Sequence, residues 1–211
     1  MTPPPLFLEG YRRFKRERYP DEAGRFAKLS RGQAPTALVI SCSDSRVDPA
    51  TIFSAAPGEL FVVRNVAALV PPYEEAGGYH GTSAALEFAV SRLKVADVVI
   101  LGHGLCGGVE AALAAAEDRP LGRFIEPWVG LLAPVRDQVM ADQTLTSPEA
   151  RQEALEHLGV RQSLANLAGF PFVEEALEAG TLRLHGAWFS IARAELHWLD
   201  EGRDSFEPLP G

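Results

Sequence analysis

The sequence predicts an α/β fold: a mostly parallel central β-sheet flanked by helices, with an N-terminal helical arm and a C-terminal antiparallel edge hairpin. Three observations predict it. The stretches "TALVIS" (36–41), "ELFVVRN" (59–65) and "ADVVILG" (96–102) are short continuous apolar runs, the pattern of buried strands. Segments of helical period lie between and after them, and strand–helix alternation is what right-handed parallel crossovers produce. Residues 181–200, "TLRLHGAWFSIARAELHWLD", alternate like a strand pair, with the turn near Ala192 to Glu195.

In chain order, residues 1–35 form the arm and 36–211 the α/β body of a single domain spanning 1–211. The arm carries the basic run "YRRFKRER", with Phe7, Leu8, Tyr11 and Phe14 near helical spacing. That pattern is a solvated helix whose apolar side docks on the body or on a second copy. In "TSAALEFAVSRLKV" (82–95), Ala85, Leu86, Ala89, Val90 and Leu93 share one helical face, and "GVEAALAAAED" (108–118) reads as the next helix. Prolines at 120, 127, 134, 148 and 171 punctuate further helical segments, including "PEARQEALEHLGVRQSLANLAG" (148–169). There is no internal repeat or low-complexity tract.

A chain of 211 residues, 46% hydrophobic and 23% charged, has the balance of a globular protein with one sizeable core. Twenty basic against 28 acidic residues leave a net charge of -8, which opposes general affinity for nucleic acid or an anionic membrane. The start, "MTPPPLFLEG", lacks the basic flank and long apolar stretch of a secretory signal, and no run is long enough to span a bilayer. A cytoplasmic location is the expectation. Cys42 and Cys106 are the only cysteines, too few for a disulfide framework. Either one alone reads as a small buried hydrophobe, so their neighbours decide.

Those neighbours carry chemistry. In an open parallel sheet, ligands gather beyond the carboxyl ends of the strands. Cys42 lies at one such end, and His103 leaves the end of "ADVVILG" within "GHGLCGG", with Cys106 three residues on, so two separate strand ends can converge. Adjacent strands are about 4.8 Å apart, so a metal with bonds near 2.0–2.3 Å can bridge their ends. A solitary HxxC is a weak signal that the distant Cys42 has to complete. A Cys2His set leaves one of zinc's four positions open, as catalytic sites do, and an open position acidifies a bound water. The glycines at 102, 104, 107 and 108 let this loop turn tightly.

If the chain stays extended past Cys42, side chains 42, 44 and 46 project to one side. Asp44 can then accept a hydrogen bond from the zinc-bound water, while Arg46 pairs with Asp44 in bidentate fashion and holds it off the metal. Without the guanidinium, Asp44 is free to become the fourth ligand and close the site. Asp48 before Pro49 reads as a helix cap, and Arg64 as structural. His80, His157, His185 and His197 lack a neighbouring Cys or carboxylate pattern and read as packed or solvated.

These residues resemble the β-class carbonic anhydrases: CxDxR at Cys42, Asp44 and Arg46, then HxxC at His103 and Cys106. The likeness runs from "GQAP" through "CSDSRVDP", "PGELFVVRNVAALVPPY" and "GHGLCGG" to "SLANLAGFPFVEEALEAGTLRLHGAWF". The resemblance implies reversible hydration of CO2 to bicarbonate and a proton by a zinc-bound hydroxide, with one Zn2+ per chain on Cys42, His103 and Cys106. Asp44 and Arg46 match the catalytic orienting dyad, with Asp44 a ligand only in a closed state. Gln33, Phe61, Val66 and Gly107 match the CO2 pocket of the plant-like branch, which is built across a homodimer or an assembly of dimers. Gln33 and Phe61 correspond to residues supplied by the partner. Phe88 stands where that branch commonly has Tyr, removing a hydroxyl from the pocket edge. Val39 replaces the tryptophan that accompanies bicarbonate regulation in another branch, although the Arg64 of that regulatory pocket is present.

Other chemistries use the same residues. A COS or CS2 hydrolase needs only a different pocket shape around the same zinc. A thiol enzyme would use Cys42 as nucleophile with His103 as base, or Cys42 and Cys106 as a redox pair. A noncatalytic zinc-stabilised module would bind metal without turnover.

Overall fold

The computed structural model describes residues 2–76, 78, 80–115, 120–200 and 202–211. The chain forms two compact units, Met1–Ala34 and Pro35–Gly211. In the first, α1 (Pro5–Arg13) runs through a π-helical turn (Phe14–Arg18) into α2 (Tyr19–Leu29). Proline in the first turn starts both helices, where its missing N–H costs nothing. Asp21 and Glu22 complement the N-terminal end of the α2 dipole. Phe14, Tyr19 and Phe26 form a ring cluster with centroids 5.7–6.1 Å apart.

The second unit is built on a six-stranded sheet of order β2-β1-β3-β4-β5-β6. Strands β1 (Ala37–Cys42), β2 (Leu60–Asn65), β3 (Asp97–His103) and β4 (Arg183–Ser190) are parallel. Strand β5 (Glu195–Asp200) pairs antiparallel with β4, and β6 (Ser205–Pro208) pairs antiparallel with β5. The predicted hairpin is present, its turn at residues 191–194, one position earlier than expected. The third antiparallel strand was not anticipated, because four residues ending in proline carry too short an alternation to read.

β1 and β3 are buried along nearly their whole length, as continuous apolar runs between helical layers should be. β2 departs from the prediction of a buried strand. It is the sheet edge, and residues alternate between half-buried and exposed, with Val62 40% exposed. An apolar run alone cannot distinguish an edge from a centre.

Helices cover the sheet. Asp48 caps α3 (Pro49–Ile52), accepting the Thr51 N–H. α4 (Gly81–Glu87) continues through a π-helical turn (Phe88–Leu93) and stops at Lys94, which takes the left-handed conformation. α5 (Gly107–Ala115) is the predicted helix of 108–118, whose residues from 116 on lie outside the described residues. α6 (Ile125–Val129) precedes α7 (Ala133–Ala141), α8 (Pro148–Ala168) and α9 (Pro171–Glu178), and the last three open on the predicted prolines. One core cluster joins Leu38, Ile40, Val98 and Ile100 to α4, α8 and α9. A second, around Cys42, Cys106, Leu132 and Leu155, lies beneath the carboxyl end of the sheet. Among the described residues no helix is long and apolar enough to cross a membrane.

Candidate metal centre

Cys42 is the last residue of β1 and His103 the last of β3, so two neighbouring parallel strands carry both side chains to the same end of the sheet. Cys106 immediately precedes α5, and its carbonyl accepts the Glu110 N–H (3.0 Å) as a helix cap residue does. All three are buried, and their ligand atoms lie within 4.8 Å of one another. Among the described residues this is the one group of three His, Cys, Asp or Glu side chains close enough to hold an ion.

The donors fit zinc. Two bonds of about 2.3 Å at a tetrahedral angle put thiolates roughly 3.8 Å apart, and Cys42 Sγ and Cys106 Sγ are 3.9 Å apart. His103 Nδ1 donates to the Gly104 carbonyl (2.9 Å), which leaves the lone pair on Nε2. Nε2 is buried without a hydrogen-bond partner, an expensive condition that a metal bond relieves. The hydrogen bond from Cys106, outweighing burial, lowers the Cys42 thiol, and the Ala67 N–H at 3.4 Å assists. The same contact, together with burial, pushes the Cys106 thiol up. Two sulfurs this close share one proton, and a cation between them allows both to ionise.

The loop after β1 is not extended as alternation predicted. It turns at Ser45 and Arg46, closed by the Val47 N–H on the Asp44 carbonyl (3.2 Å) and the Arg46 N–H on Asp44 Oδ1 (2.9 Å). An aspartate that accepts from the backbone two residues on favours this turn. The turn itself folds Arg46 back onto Asp44: Nε meets Oδ1 at 2.9 Å and Nη2 meets Oδ2 at 2.7 Å. The Arg46 hydrogen bond holds the Asp44 carboxyl well below the usual carboxylate range. Nη2 also donates to the Leu105 carbonyl (3.0 Å), joining the loop after Cys42 to the loop before Cys106.

The glycines of "GHGLCGG" act differently from expectation. None of them has positive φ; the left-handed residue is Leu105, at φ 56. Three are required by close approach instead. A Cβ on Gly102 would meet Val160 Cγ2 at 2.6 Å, one on Gly104 would meet Trp188 at 3.0 Å, and one on Gly108 would meet Val66 Cγ1 at 2.6 Å. A Cβ on Gly107 would project into open space.

The residues predicted to line a pocket fall into separate groups. Val66, just past β2, and Gly107, next to Cys106, adjoin the candidate metal centre. Phe61 stacks on Phe88 with centroids 5.9 Å apart. Phe61 pairs in register with Leu38, four positions before Cys42, which puts it about 13 Å back along the strands from its own chain's ligands. Gln33 belongs to the first unit, in the irregular stretch after α2.

Arg64 holds the loop structurally, with its guanidinium on the carbonyls of Cys42, Asp44 and Val47. His157 packs between Trp188 and Phe206. His185 departs from the prediction: its Nε2 lies 2.8 Å from Asp97, which also takes a fork from Arg183. That pairing spans strands β3 and β4 and is invisible to local spacing. Sequence reasoning also missed Glu156, a carboxylate only 4% exposed behind Cys106. Its signal was present: it shares the α8 face of Leu155, Gly159, Val160 and Ser163, where an acid is out of place.

A family model described as carbonic anhydrase matches residues 37–196. The chain is 36% identical over 178 residues to the chloroplastic beta carbonic anhydrase 5 of Arabidopsis thaliana, covering 84% of this chain and 58% of that protein. It therefore spans little more than half the length of that relative. The solved structure of the β-carbonic anhydrase CcaA superposes with a TM-score of 0.91 at 30% identity, over 97% of this chain and 98% of that one. A tetrameric β-carbonic anhydrase from Sordaria macrospora gives 0.81 at 32% identity, over 92% of this chain and 95% of that one.

Proposed function

The chain belongs to the carbonic anhydrase family, in its β class, and we propose that it catalyses reversible hydration of CO2 to bicarbonate and a proton with one zinc ion per chain. The observation that carries this reading is the spacing of the donors: two sulfurs 3.9 Å apart beside an unpartnered, buried His103 Nε2. Cys42, His103 and Cys106 would hold the metal, which would supply Lewis acidity that lowers the pKa of a water to about 7, in the range of neutral pH.

The chain's own residues do the rest. Asp44 Oδ1 is occupied by two donors from Arg46, whereas Oδ2 takes one and keeps acceptor capacity. Asp44 accepts a proton-bearing group there and orients it toward the substrate. Arg46 keeps that carboxylate ionised and, by occupying it, restrains Asp44 from closing the site as a fourth ligand. Val66 and Gly107 border the substrate space, with the Gly107 N–H available to a CO2 oxygen.

Phe61 and Phe88 are too far back along the sheet to serve their own chain's metal, and their placement supports a pocket completed by a second copy, to which Gln33 also contributes. A homodimer, or a higher assembly of dimers, follows, and the half-exposed β2 edge suits such an interface. The need for reduced thiol ligands supports a cytoplasmic location. Stopped-flow CO2 hydration on protein of measured zinc content tests the reading. Turnover proportional to zinc, approaching one ion per chain, is expected. Zinc-loaded protein without turnover refutes the activity, and preference for COS or CS2 reassigns the substrate.

A further inference from the structure

Glu156 is a charged side chain in the interior, 4% exposed, and no step above uses it. Three donors converge on it. The Cys106 backbone N–H (3.0 Å) and Gln152 Nε2 (3.1 Å) meet Oε1, and Trp188 Nε1 (3.1 Å) meets Oε2. Backbone amide, carboxamide and indole N–H are all donors here, so the site demands an acceptor on both oxygens. Burying a carboxylate is costly, and these three bonds offset part of that cost.

Resting on the reading of Cys42, His103 and Cys106 as a metal centre, we propose that Glu156 is the positioning residue for Cys106: its carboxylate, mounted on the 21-residue helix α8, fixes the backbone from which the ligand sulfur projects. The local geometry calls for such an anchor. Cys106 follows Leu105, a left-handed residue whose side chain is 58% exposed and has little packing of its own to define the turn. The Cys106 N–H precedes the first turn of α5, where helical N–H groups lack intrahelical partners. Glu156 supplies that partner, and Trp188 and Gln152 hold Glu156 in turn. Orientation of a ligand through its hydrogen-bond partner is worth about 10–100-fold in metal affinity in other sites.

The test is zinc release to a chromogenic chelator from zinc-loaded protein, alongside the sulfur-to-metal charge-transfer spectrum of the cobalt-substituted form. Glu156→Met keeps volume without an oxygen, and should release zinc at least tenfold faster with a shifted cobalt spectrum; Glu156→Ala carries the same expectation should the first variant not fold. Glu156→Gln keeps one carbonyl for the Cys106 N–H, and should restore release to within about threefold of wild type. Trp188→Phe removes a donor but leaves the Cys106 bond, so it should lower thermal stability while zinc release stays within about threefold. Folded Met or Ala variants with wild-type release and spectrum overturn the inference, as does a Trp188→Phe effect as large as theirs. Wild-type protein that binds no zinc overturns the metal-centre reading itself, a separate result.

Discussion

Arg64, on the edge strand β2, donates from Nη2 to the main-chain carbonyl of Asp44 at 2.5 Å. Its Nε reaches the Cys42 carbonyl at 2.9 Å, and Nη2 also reaches Val47 at 3.0 Å. The loop carrying Cys42 and Asp44 is thus held from a neighbouring strand, and a planar fork serves three carbonyls where an ammonium would serve fewer. Arg64→Gln should cost at least about 2 kcal/mol, the scale of losing hydrogen bonds to a charged donor. Urea denaturation measures this, and an unchanged midpoint would deny the clamp.

Asp44 and Arg46 should act as one unit. Asp44→Asn should retain zinc and slow CO2 hydration by about 10²–10⁴-fold, the range for a positioned acid or base. Arg46→Gln should also retain zinc, lose activity, and let the Asp44 carboxyl rise toward its ordinary value near 3.9. The depressed value in the wild type means Asp44 is charged throughout the neutral range, with its contribution lost only as pH falls through the lowered value. A new acid inflection in the Arg46→Gln rate profile is therefore expected, and zinc analysis with pH–rate measurements checks it.

Cys106→Ser removes a sulfur from a three-donor set, so zinc and turnover should be lost together. Metal analysis after dialysis, read beside stopped-flow rates, is decisive. Full zinc with retained turnover would remove Cys106 from the ligand set.

His157 gives the fold an acid sensitivity. Burial first, then His197 and Arg161, lower it to about 4, against about 6.5 for an unperturbed histidine. The unfolded chain binds the extra proton between these values, so stability should fall as pH drops from about 6.5 to about 4. At about 1.4 kcal/mol per unit the total is on the order of 3–4 kcal/mol. His157→Phe keeps a ring beside Trp188 and Phe206 and should flatten that slope. An equal slope in both proteins, by chemical denaturation across pH, would assign it to other groups.

The parallel strands were legible because β1 and β3 are buried on both faces and therefore apolar at every position. The same cue misread β2, since an apolar run does not tell an edge strand from a central one. CxDxR and HxxC were legible because strand ends gather ligands, yet alternation gave the wrong geometry for Asp44 and Arg46, whose pairing comes from a turn. Glu156 stood out only as an acid on the apolar face of α8. Arg64 read as structural, but the carbonyls it holds, like the Asp97–His185 pair, were opaque because those partners lie 17 to 88 residues away in sequence. Only the folded register brings them together.

X-ray absorption at the zinc edge of the loaded protein, at neutral pH, addresses the metal centre most directly. Two sulfur neighbours near about 2.3 Å and two lighter ones near about 2.0 Å are expected from Cys42, Cys106, His103 and one exchangeable position. A shell without two sulfurs, or with four ligands all drawn from the protein, would contradict it.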